Sequence, residues 1–563
     1  MDLLLLMAKR SWRALLVATL TGLTCGLAAA GLIANINHSL TVFDQLRPVD
    51  GLYFGSLVLL VAVSRIISDI SLLRLGQAAV NDMRLHLSAK LIDTPYAQLQ
   101  RLGKHRLLAM LTDDTQTISQ AVELVPILLV NAGILAACLG YLGWLSLPLL
   151  GLTLLLIVLG SLSFNWPQRR ALTSISRARE LKDQLFDQYR LLTDGSKELQ
   201  LNHPRREHFF SRLLIPVSQQ YRRDFVRGMS IYALVLNWGN AVFYLLIGVV
   251  LFVAPQFIDL SVSLITGYIL TILYMITPLS ELMHALPTLG RASVALNKIR
   301  ALEGQMQAAA QAIETISPTQ VRSLVCRQVS HTYYREREDG HFTLGPIDLT
   351  LNAGEVVFIT GGNGSGKTTL ALLLTGLYRP ESGDIMLDEQ VSSSHDNHHF
   401  RQHFSAIFTD FCLFENLFDG DDPHLVQQAQ DYLVHLQLDH KVRIEAGKLT
   451  TLALSTGQRK RLALLSAYLD DRPCYLFDEW AADQDPVFKH FFYTRILPDL
   501  RNRGKLLIVI SHDDAYFGLA DRLIRIEHGQ LSEVTADARG TALALTGMSP
   551  LKDANASVTQ ASS

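Results

Sequence analysis

Six apolar stretches of about 20 residues each occupy the first half of the 563-residue chain. A helix needs about 20 mostly apolar residues to cross a hydrocarbon core of about 30 Å. We therefore predict six membrane-spanning helices, at roughly 14–36, 52–75, 121–143, 147–165, 229–253 and 260–286. The first stretch follows Lys9, Arg10 and Arg13, as a signal peptide would, but its length favours a retained helix.

The composition supports a membrane protein with a soluble part. Hydrophobic residues make up 49% of the chain and charged residues 18%, which is on the apolar side of soluble proteins. The net charge of −2 gives no reason to expect a nucleic-acid partner. The five cysteines are scattered and form no C-x-x-C pair, so neither a zinc site nor a disulfide framework is indicated.

Basic residues are distributed unevenly between the connecting segments. The connections at 144–148 and 254–260 contain no Lys or Arg, whereas 76–120 and 166–228 carry many. Cytoplasmic segments of membrane proteins are enriched in Lys and Arg. We therefore predict that both termini and both long segments lie in the cytoplasm.

The two long cytoplasmic segments have the composition of helices rather than of loose loops. Apolar residues recur at helical spacing in the second, and Pro95 and the pair Asp194-Gly195 mark breaks. We expect short transverse helices at these breaks to contact another domain. A pair of solvated amphipathic hairpins is the alternative.

The composition changes after Arg300. We assign 1–300 to the membrane domain and the Gln- and Ala-rich residues 301–320 to a linker. From 321 to 535 short apolar strands alternate with helices, which predicts a largely parallel α/β domain. The tail at 536–563 has few large apolar residues and is expected to be disordered.

A glycine-rich loop is the strongest chemical signal in the α/β part. It reads Gly361-Gly362-Asn363-Gly364-Ser365-Gly366-Lys367-Thr368-Thr369, after a predicted strand and before a predicted helix. This is the G-x-x-x-x-G-K-[ST] pattern, whose backbone N–H groups bind phosphate oxygens. We expect ATP here, with Lys367 at the β- and γ-phosphates and the Thr368 hydroxyl at Mg²⁺.

A second predicted strand ends in two acidic residues, in the sequence Cys474-Tyr475-Leu476-Phe477-Asp478-Glu479. We expect Asp478 to hold Mg²⁺ through water. We expect Glu479 to polarise the water that attacks the γ-phosphate. An apolar strand ending in two acids is weak evidence alone, but its spacing from the phosphate loop is right.

Between these motifs, Leu454-Ser455-Thr456-Gly457-Gln458 resembles the LSGGQ signature of ATP-binding cassette proteins. In that family the signature of one subunit closes on the nucleotide held by the other. The resemblance therefore implies nucleotide contacts from Ser455, Gly457 and Gln458 in a homodimer. It also implies a switch histidine at His512, a D-loop aspartate at Asp485 and an adenine-stacking aromatic at Tyr333.

The chain departs from the family at the loop that normally carries a glutamine. Thr409 aligns with that position and Asp410 follows it, so Asp410 is a further candidate metal ligand. The run Trp480-Ala481-Ala482-Asp483-Gln484-Asp485 also replaces the common small residues. These departures resemble the cyclic-peptide and siderophore-peptide exporters, which include those of microcin J25 and the pyoverdine precursor.

Several polar residues interrupt the predicted spans. Arg65 and Asp69 lie four residues apart, hence on one helix face. They are explained equally well by a bundle-stabilising ion pair or by a substrate path. Asn131, Asn237, Asn240 and Glu281 are further candidates for the path, although hydrogen bonds between helices explain them too.

The resemblance covers nearly the whole chain and implies a type IV exporter fold. That fold consists of a six-helix membrane domain fused to an α/β P-loop cassette, working as a homodimer among membrane lipids. The implied function is ATP-driven export of a peptide-like substrate. A lipid flippase or multidrug exporter of the same fold is the alternative, and a membrane-anchored ATPase without transport is disfavoured.

Overall fold

The computed structural model describes residues 2–42, 47–257, 260–306, 320–335, 340–388, 390–391, 397–418 and 422–534. Most of the predicted linker and all of the predicted tail lie outside these described residues. The chain divides into two compact units. One comprises Met1–Lys90 with Lys104–Gln305, and the other comprises Leu91–Gly103 with Met306–Ser563.

Among the described residues, ten α-helices precede the first strand. They are α1 (Asp2–Thr41), α2 (Pro48–Asp93), α3 (Tyr96–Leu102), α4 (Lys104–Ala109), α5 (Thr115–Leu145), α6 (Leu147–Asp194), α7 (Ser196–Leu201), α8 (His203–His208), α9 (Ile215–Gly248) and α10 (Val262–Gln305). Single π-helical turns at Met110–Asp114 and Phe209–Leu214 join α4 to α5 and α8 to α9. A third π-helical turn, Val249–Val253, and a 3₁₀ turn, Ala254–Gln256, follow α9.

Five helical stretches among the described residues are long and apolar enough to cross a membrane. They are Thr19–Thr41, Pro48–Asp93, Lys104–Leu145, His203–Gln256 and Val262–Gln305. The predicted fourth span corresponds to a shorter apolar run, Leu147–Gly160, at the start of α6. Only Ser146 separates α5 from α6, so the connection is as short as the sequence suggests.

Glycines bring α1 and α5 into backbone contact. A Cβ on Gly26 would lie 2.4 Å from the carbonyl of Gly133, and one on Gly133 would lie 2.9 Å from the Gly22 oxygen. Small residues allow this approach in membrane helices, where close packing replaces the hydrophobic effect as the source of association. Cys25 and Cys138 are fully buried nearby, as small apolar side chains.

The second unit contains the strands and the remaining helices. The strands are β1 (Ser323–Arg335), β2 (Gly340–Asn352), β3 (Val356–Gly361), β4 (Ser382–Leu387), β5 (Gln390–Val391), β6 (Phe404–Ile407), β7 (Ile444–Glu445), β8 (Lys448–Leu449), β9 (Cys474–Asp478), β10 (Leu506–Ile510), β11 (Arg522–Glu527) and β12 (Gln530–Glu533). The helices are α11 (Lys367–Leu374), α12 (Asn397–Arg401), α13 (Pro423–His435), α14 (Thr456–Asp470), α15 (Pro486–Phe491) and α16 (Leu497–Asn502).

The central sheet has the order β12-β11-β3-β10-β9-β6, and all pairs are parallel except β11 with β12. A second sheet, β2-β1-β4-β5, is antiparallel. Strands β3, β9 and β10 are apolar on both faces because helices or the second sheet cover both sides. Their carboxyl ends lie side by side, where ligands bind in open parallel sheets.

The short helix α3 belongs to the second unit, although the sequence assigned 76–120 to the membrane domain. Polar and aromatic contacts join α3 to Tyr378, which follows α11. The Tyr378 hydroxyl donates to Gln100 Oε1, and the rings of Tyr96 and Tyr378 lie 6.4 Å apart. Tyr378 also packs on His331 of β1, with 5.1 Å between ring centroids.

Candidate functional site

The glycine-rich loop joins β3 to α11, as its sequence predicts. Gly366 caps α11 with φ of +106°, a left-handed conformation that a side chain would disfavour. A Cβ on Gly361 would lie 2.3 Å from the Ile526 oxygen. The glycines therefore allow the loop to curl tightly against its neighbours, which leaves backbone N–H groups and a helix N-terminus available for phosphate.

Lys367 lies inside this curl. Its ammonium donates to the carbonyl oxygens of Gly361 at 2.8 Å and Gly362 at 3.1 Å, and the residue is 7% exposed. The Ser365 hydroxyl is buried and has no hydrogen-bond partner among the described residues. An unpaired buried hydroxyl is costly. The loop thus offers a preformed cation and an unsatisfied polar group, which suit a phosphate ligand.

Tyr333 of β1 contacts Phe342, which in turn lies next to this loop. The rings of Tyr333 and Phe342 are 5.4 Å apart, and a Cβ on Gly366 would lie 3.2 Å from the Phe342 ring. An aromatic surface next to the phosphate loop is suited to stacking a nucleobase. The expected adenine contact of Tyr333 remains a prediction.

Asp478 ends β9 and is 2% exposed. Burial raises the pKa of Asp478, and the neighbouring carboxylate of Glu479 raises it further, whereas hydrogen bonds from Thr409 and Thr368 lower it. The Thr409 hydroxyl donates to Asp478 Oδ2 at 3.3 Å. A buried carboxylate with a negative neighbour gains from a cation, so Asp478 and Thr368 form a suitable oxygen donor set for Mg²⁺.

Thr409, rather than Asp410, reaches the acidic pair. Asp410 is exposed, and its charge acts on Tyr96 of α3: burial raises the pKa of Tyr96, and the Asp410 carboxylate raises it further. Within the described ranges, no group of three or more His, Cys, Asp or Glu side chains could hold a metal ion by itself.

Glu479 and His512 meet beside Asp478. Glu479 Oε1 lies 3.3 Å from His512 Nε2, which follows the neighbouring strand β10. Glu479 has a left-handed backbone with φ of +50°, and its N–H donates to the Ile510 oxygen at 3.0 Å. Non-glycine residues in this conformation are strained and often occur at functional sites. Three neighbouring strand ends therefore bring together the loop, the acidic pair and the histidine.

The signature segment begins helix α14. Ser455 caps the helix in a reciprocal pair with Gln458: each side chain hydrogen-bonds the other's backbone N–H at 3.3 Å. Ser455 is exposed in the single chain. A Cβ on Gly457 would lie 2.7 Å from the Asp483 oxygen, so glycine is required for the approach of the following segment. Thr456, which replaces the family's glycine, is exposed and meets no such constraint.

The unusual residues after Glu479 have structural partners. Trp480 is 1% exposed, packs at a tilt on Phe492 with 4.4 Å between ring centroids, and donates its indole N–H to the Lys460 oxygen at 2.8 Å. Asp485 caps α15 through the Phe488 N–H at 2.9 Å and pairs with Arg461. The Phe488 N–H, more than any other group, lowers the pKa of Asp485. Asp485, expected at the nucleotide, thus has an internal capping role in the single chain.

We expect Trp480→Ala to lower the free energy of unfolding of the cassette by about 3–5 kcal/mol, because it leaves a large cavity among aromatic rings. Thermal unfolding of the full-length protein in detergent measures the effect. Val487→Ala, on α15 with 74% exposure, is the control and is expected to stay within about 0.5 kcal/mol. An unchanged unfolding midpoint for Trp480→Ala would contradict this packing role.

The polar residues of the membrane unit form separate contacts. Arg65 and Asp69 on α2 are 4.0 Å apart and about half exposed. Asn131 of α5 donates to Glu281 of α10, a contact between two helices. Asn237 donates to the Ala233 oxygen of its own helix at 2.8 Å. In the structure, these five residues therefore form three separate contacts.

Comparison with known proteins identifies relatives. Residues 344–482 match the family model described as ABC transporter. The ATP-binding protein SyrD of Pseudomonas syringae pv. syringae is 34% identical over 525 residues, covering 91% of this chain and 92% of SyrD. The mesentericin-Y105 transport/processing ATP-binding protein MesD of Leuconostoc mesenteroides is 28% identical over a region that covers 51% of this chain and 41% of MesD. An ATP-dependent lipid A-core flippase of Thiobacillus denitrificans is 25% identical over a region that covers 88% of this chain and 87% of the flippase.

A solved structure of a bacterial Atm1-family ABC exporter with ATP bound has the same fold, with a TM-score of 0.73 at 17% identity. The match covers 97% of this chain and 99% of that one. The predicted fold class, a helical membrane domain fused to an α/β P-loop cassette, is confirmed.

Proposed function

The chain belongs to the ABC transporter family, as an exporter half-transporter that hydrolyses ATP, and on this premise we propose that it exports a peptide-like molecule from the cytoplasm. The main structural support for ATP hydrolysis is that three groups of residues lie together at neighbouring strand ends. These are the loop with Lys367, the pair Asp478 and Glu479, and His512.

We propose that each group has a distinct role in hydrolysis. The loop residues Gly362–Thr369 bind the triphosphate, and Lys367 exchanges its carbonyl partners for β- and γ-phosphate oxygens. Thr368 and Asp478 would hold Mg²⁺, which neutralises charge that develops on the phosphates. Glu479 accepts a hydrogen bond from the attacking water and polarises it, and His512 orients Glu479 and the γ-phosphate.

The exposure of the signature segment supports a dimer. Ser455 and the N-terminus of α14 are exposed, so they are available to a nucleotide held by a second copy. Backbone N–H groups at a helix N-terminus favour an anion such as the γ-phosphate. We propose a homodimer in which two ATP molecules each lie between the loop of one copy and the signature of the other.

We propose that α3 transmits the state of the cassette to the membrane helices. It lies within the cassette unit and is separated from α2 by only Thr94 and Pro95. The charge distribution supports placing this end and both termini in the cytoplasm of a bacterial inner membrane. ATP would favour one arrangement of a two-state bundle because it binds the closed cassette pair preferentially.

Three observations favour a peptide-like substrate. The departures at Thr409, at Thr456 and from Trp480 to Asp485 resemble those of peptide exporters, and MesD is a transport and processing protein for mesentericin Y105. Half-exposed Arg65 and Asp69 offer charges of both signs to a zwitterionic molecule. The flippase relative keeps a lipid as the second candidate.

ATPase activity in nanodiscs separates these candidates. We expect a cyclic peptide to stimulate hydrolysis at least about twofold, because a substrate that binds one state better shifts the bundle toward it. Lipid A added to matched nanodiscs is the comparison, and Glu479→Gln defines the background. Stimulation by lipid A and none by peptides would favour a flippase and contradict our proposal. Mass spectrometry of peptides secreted with and without the gene would then identify the substrate.

A further inference from the structure

Lys460 is a buried lysine that neither nucleotide binding nor the signature motif explains. It lies on α14, five residues after Ser455, and its side chain is 2% exposed. Its ammonium donates to the backbone oxygen of Glu479 at 2.9 Å and pairs with Asp483 Oδ2 at 2.7 Å. A buried charge is retained only where specific partners compensate its desolvation.

The partner that matters is the strained residue at the reaction centre. The left-handed backbone of Glu479 is fixed at its N–H by the Ile510 oxygen. Its carbonyl accepts two hydrogen bonds, a charged one from Lys460 and a longer one, of 3.3 Å, from the Ala482 N–H. Hydrogen bonds from charged donors are about twice as strong as neutral ones. Lys460 therefore supplies the stronger contact on the carbonyl side.

A second contact fixes Lys460 to the same segment. The Lys460 carbonyl accepts the indole N–H of Trp480 at 2.8 Å, so its backbone and its side chain both hold residues 479–483. Asp483 is 51% exposed and could solvate its own charge, which argues against an ion pair kept for core stability alone. The contact links the signature helix firmly to Glu479.

We propose that Lys460 is a positioning residue that holds the Glu479 carboxylate in its productive orientation and couples it to the signature helix. This inference rests on the proposed function. In the proposed dimer, Ser455 at the start of α14 contacts the partner's nucleotide, whereas Glu479 acts on the nucleotide of its own chain. A displacement of α14 by one ATP therefore reaches the carboxylate that hydrolyses the other.

Lys460→Met tests the proposal because it keeps the length and removes the charge. We expect kcat for ATP to fall about 10- to 100-fold while KM changes less than about threefold, since misplacing a catalytic group affects chemistry more than binding. The Hill coefficient for ATP should fall toward 1. Lys460→Arg should recover most of the lost kcat, and Asp483→Asn should lower kcat in the same direction by less.

Asp471→Asn is the matched control, because Asp471 is also about half exposed and pairs with the part-buried Lys505 at 3.0 Å. We expect its kcat and Hill coefficient to remain those of the parent. Unchanged kcat in Lys460→Met would overturn the inference. Equal losses in Lys460→Met and Lys460→Arg, with a lower unfolding midpoint in both, would also overturn it in favour of a purely structural ion pair.

Glu479→Gln distinguishes failure of this inference from failure of the proposed function. If Glu479→Gln is inactive and Lys460→Met is normal, only the positioning role of Lys460 fails. If Glu479→Gln hydrolyses ATP normally, the proposed catalytic site fails and the role of Lys460 fails with it.

Discussion

Replacing Glu479 with glutamine is expected to lower ATP turnover by about 100- to 1,000-fold, because an amide cannot polarise the attacking water as a carboxylate does. The amide keeps the shape of the side chain and removes a negative charge beside the buried Asp478. ATP binding should therefore persist or tighten. Steady-state hydrolysis and the amount of ATP retained after gel filtration measure the two effects together.

Glu527→Gln is the control for this substitution. Glu527 lies on β11 of the same sheet, is about half exposed and pairs with Arg525 at 2.7 Å. Since exposed ion pairs contribute little, its turnover should match that of the parent. Normal hydrolysis by Glu479→Gln, or loss of ATP binding together with hydrolysis, would contradict the role assigned to Glu479.

Lys367→Met and Ser455→Arg are expected to have effects that depend on which copies carry them. In a homodimer each substitution should reduce occluded ATP at least about 100-fold, since each removes one side of both composite sites. In a mixed dimer with one substitution per copy, both defects fall in the same site and the other site is intact. That dimer should retain one ATP.

The same two substitutions placed in a single copy beside an unaltered partner form the matched control. Each composite site then carries one defect, and no ATP should be occluded. Each dimer is assembled from two copies that carry different affinity tags and the Glu479→Gln substitution. Purification over both tags isolates the mixed dimer and the control dimer, and the ATP bound to each is then counted. Equal ATP content in the two dimers would contradict a nucleotide shared between Lys367 of one copy and Ser455 of the other.

The local structure at the proposed nucleotide site follows from sequence because it depends on contiguous residues. Glycine spacing alone predicts the tight loop after β3, and an apolar strand ending in two acids predicts Asp478 and Glu479. Such local patterns are independent of distant packing. The same holds for the helices of the membrane unit, whose length and apolar composition mark them directly.

Contacts between distant residues were less accessible. Asp410 as a metal ligand stays a prediction, but the sequence does not show that the Thr409 hydroxyl reaches Asp478, because that contact depends on the pairing of β6 with β9. Lys460 was missed altogether. A lysine on an otherwise apolar helix face was the available signal, but its target, the Glu479 carbonyl, is a backbone atom that sequence does not distinguish.

Helix α3 shows a further limit. Its helical character and its position after Pro95 follow from composition, but its membership of the second unit involves contacts such as that of Gln100 with Tyr378, which are 278 residues apart. Hydrophobic periodicity carries no information about such a pair. The same limit applies to the polar residues of the spans. The contact of Asn131 with Glu281 cannot be predicted without knowing that α5 and α10 are neighbours.

The glycine contact between α1 and α5 constrains how the membrane unit can move. Where the two backbones touch at Gly26 and Gly133, no side chains remain that could change rotamer to let one helix slide along the other. Interfaces this dense resist gradual deformation and tend to travel as one rigid body. We therefore expect α1 and α5 to move together during export, with the opening at other helix contacts.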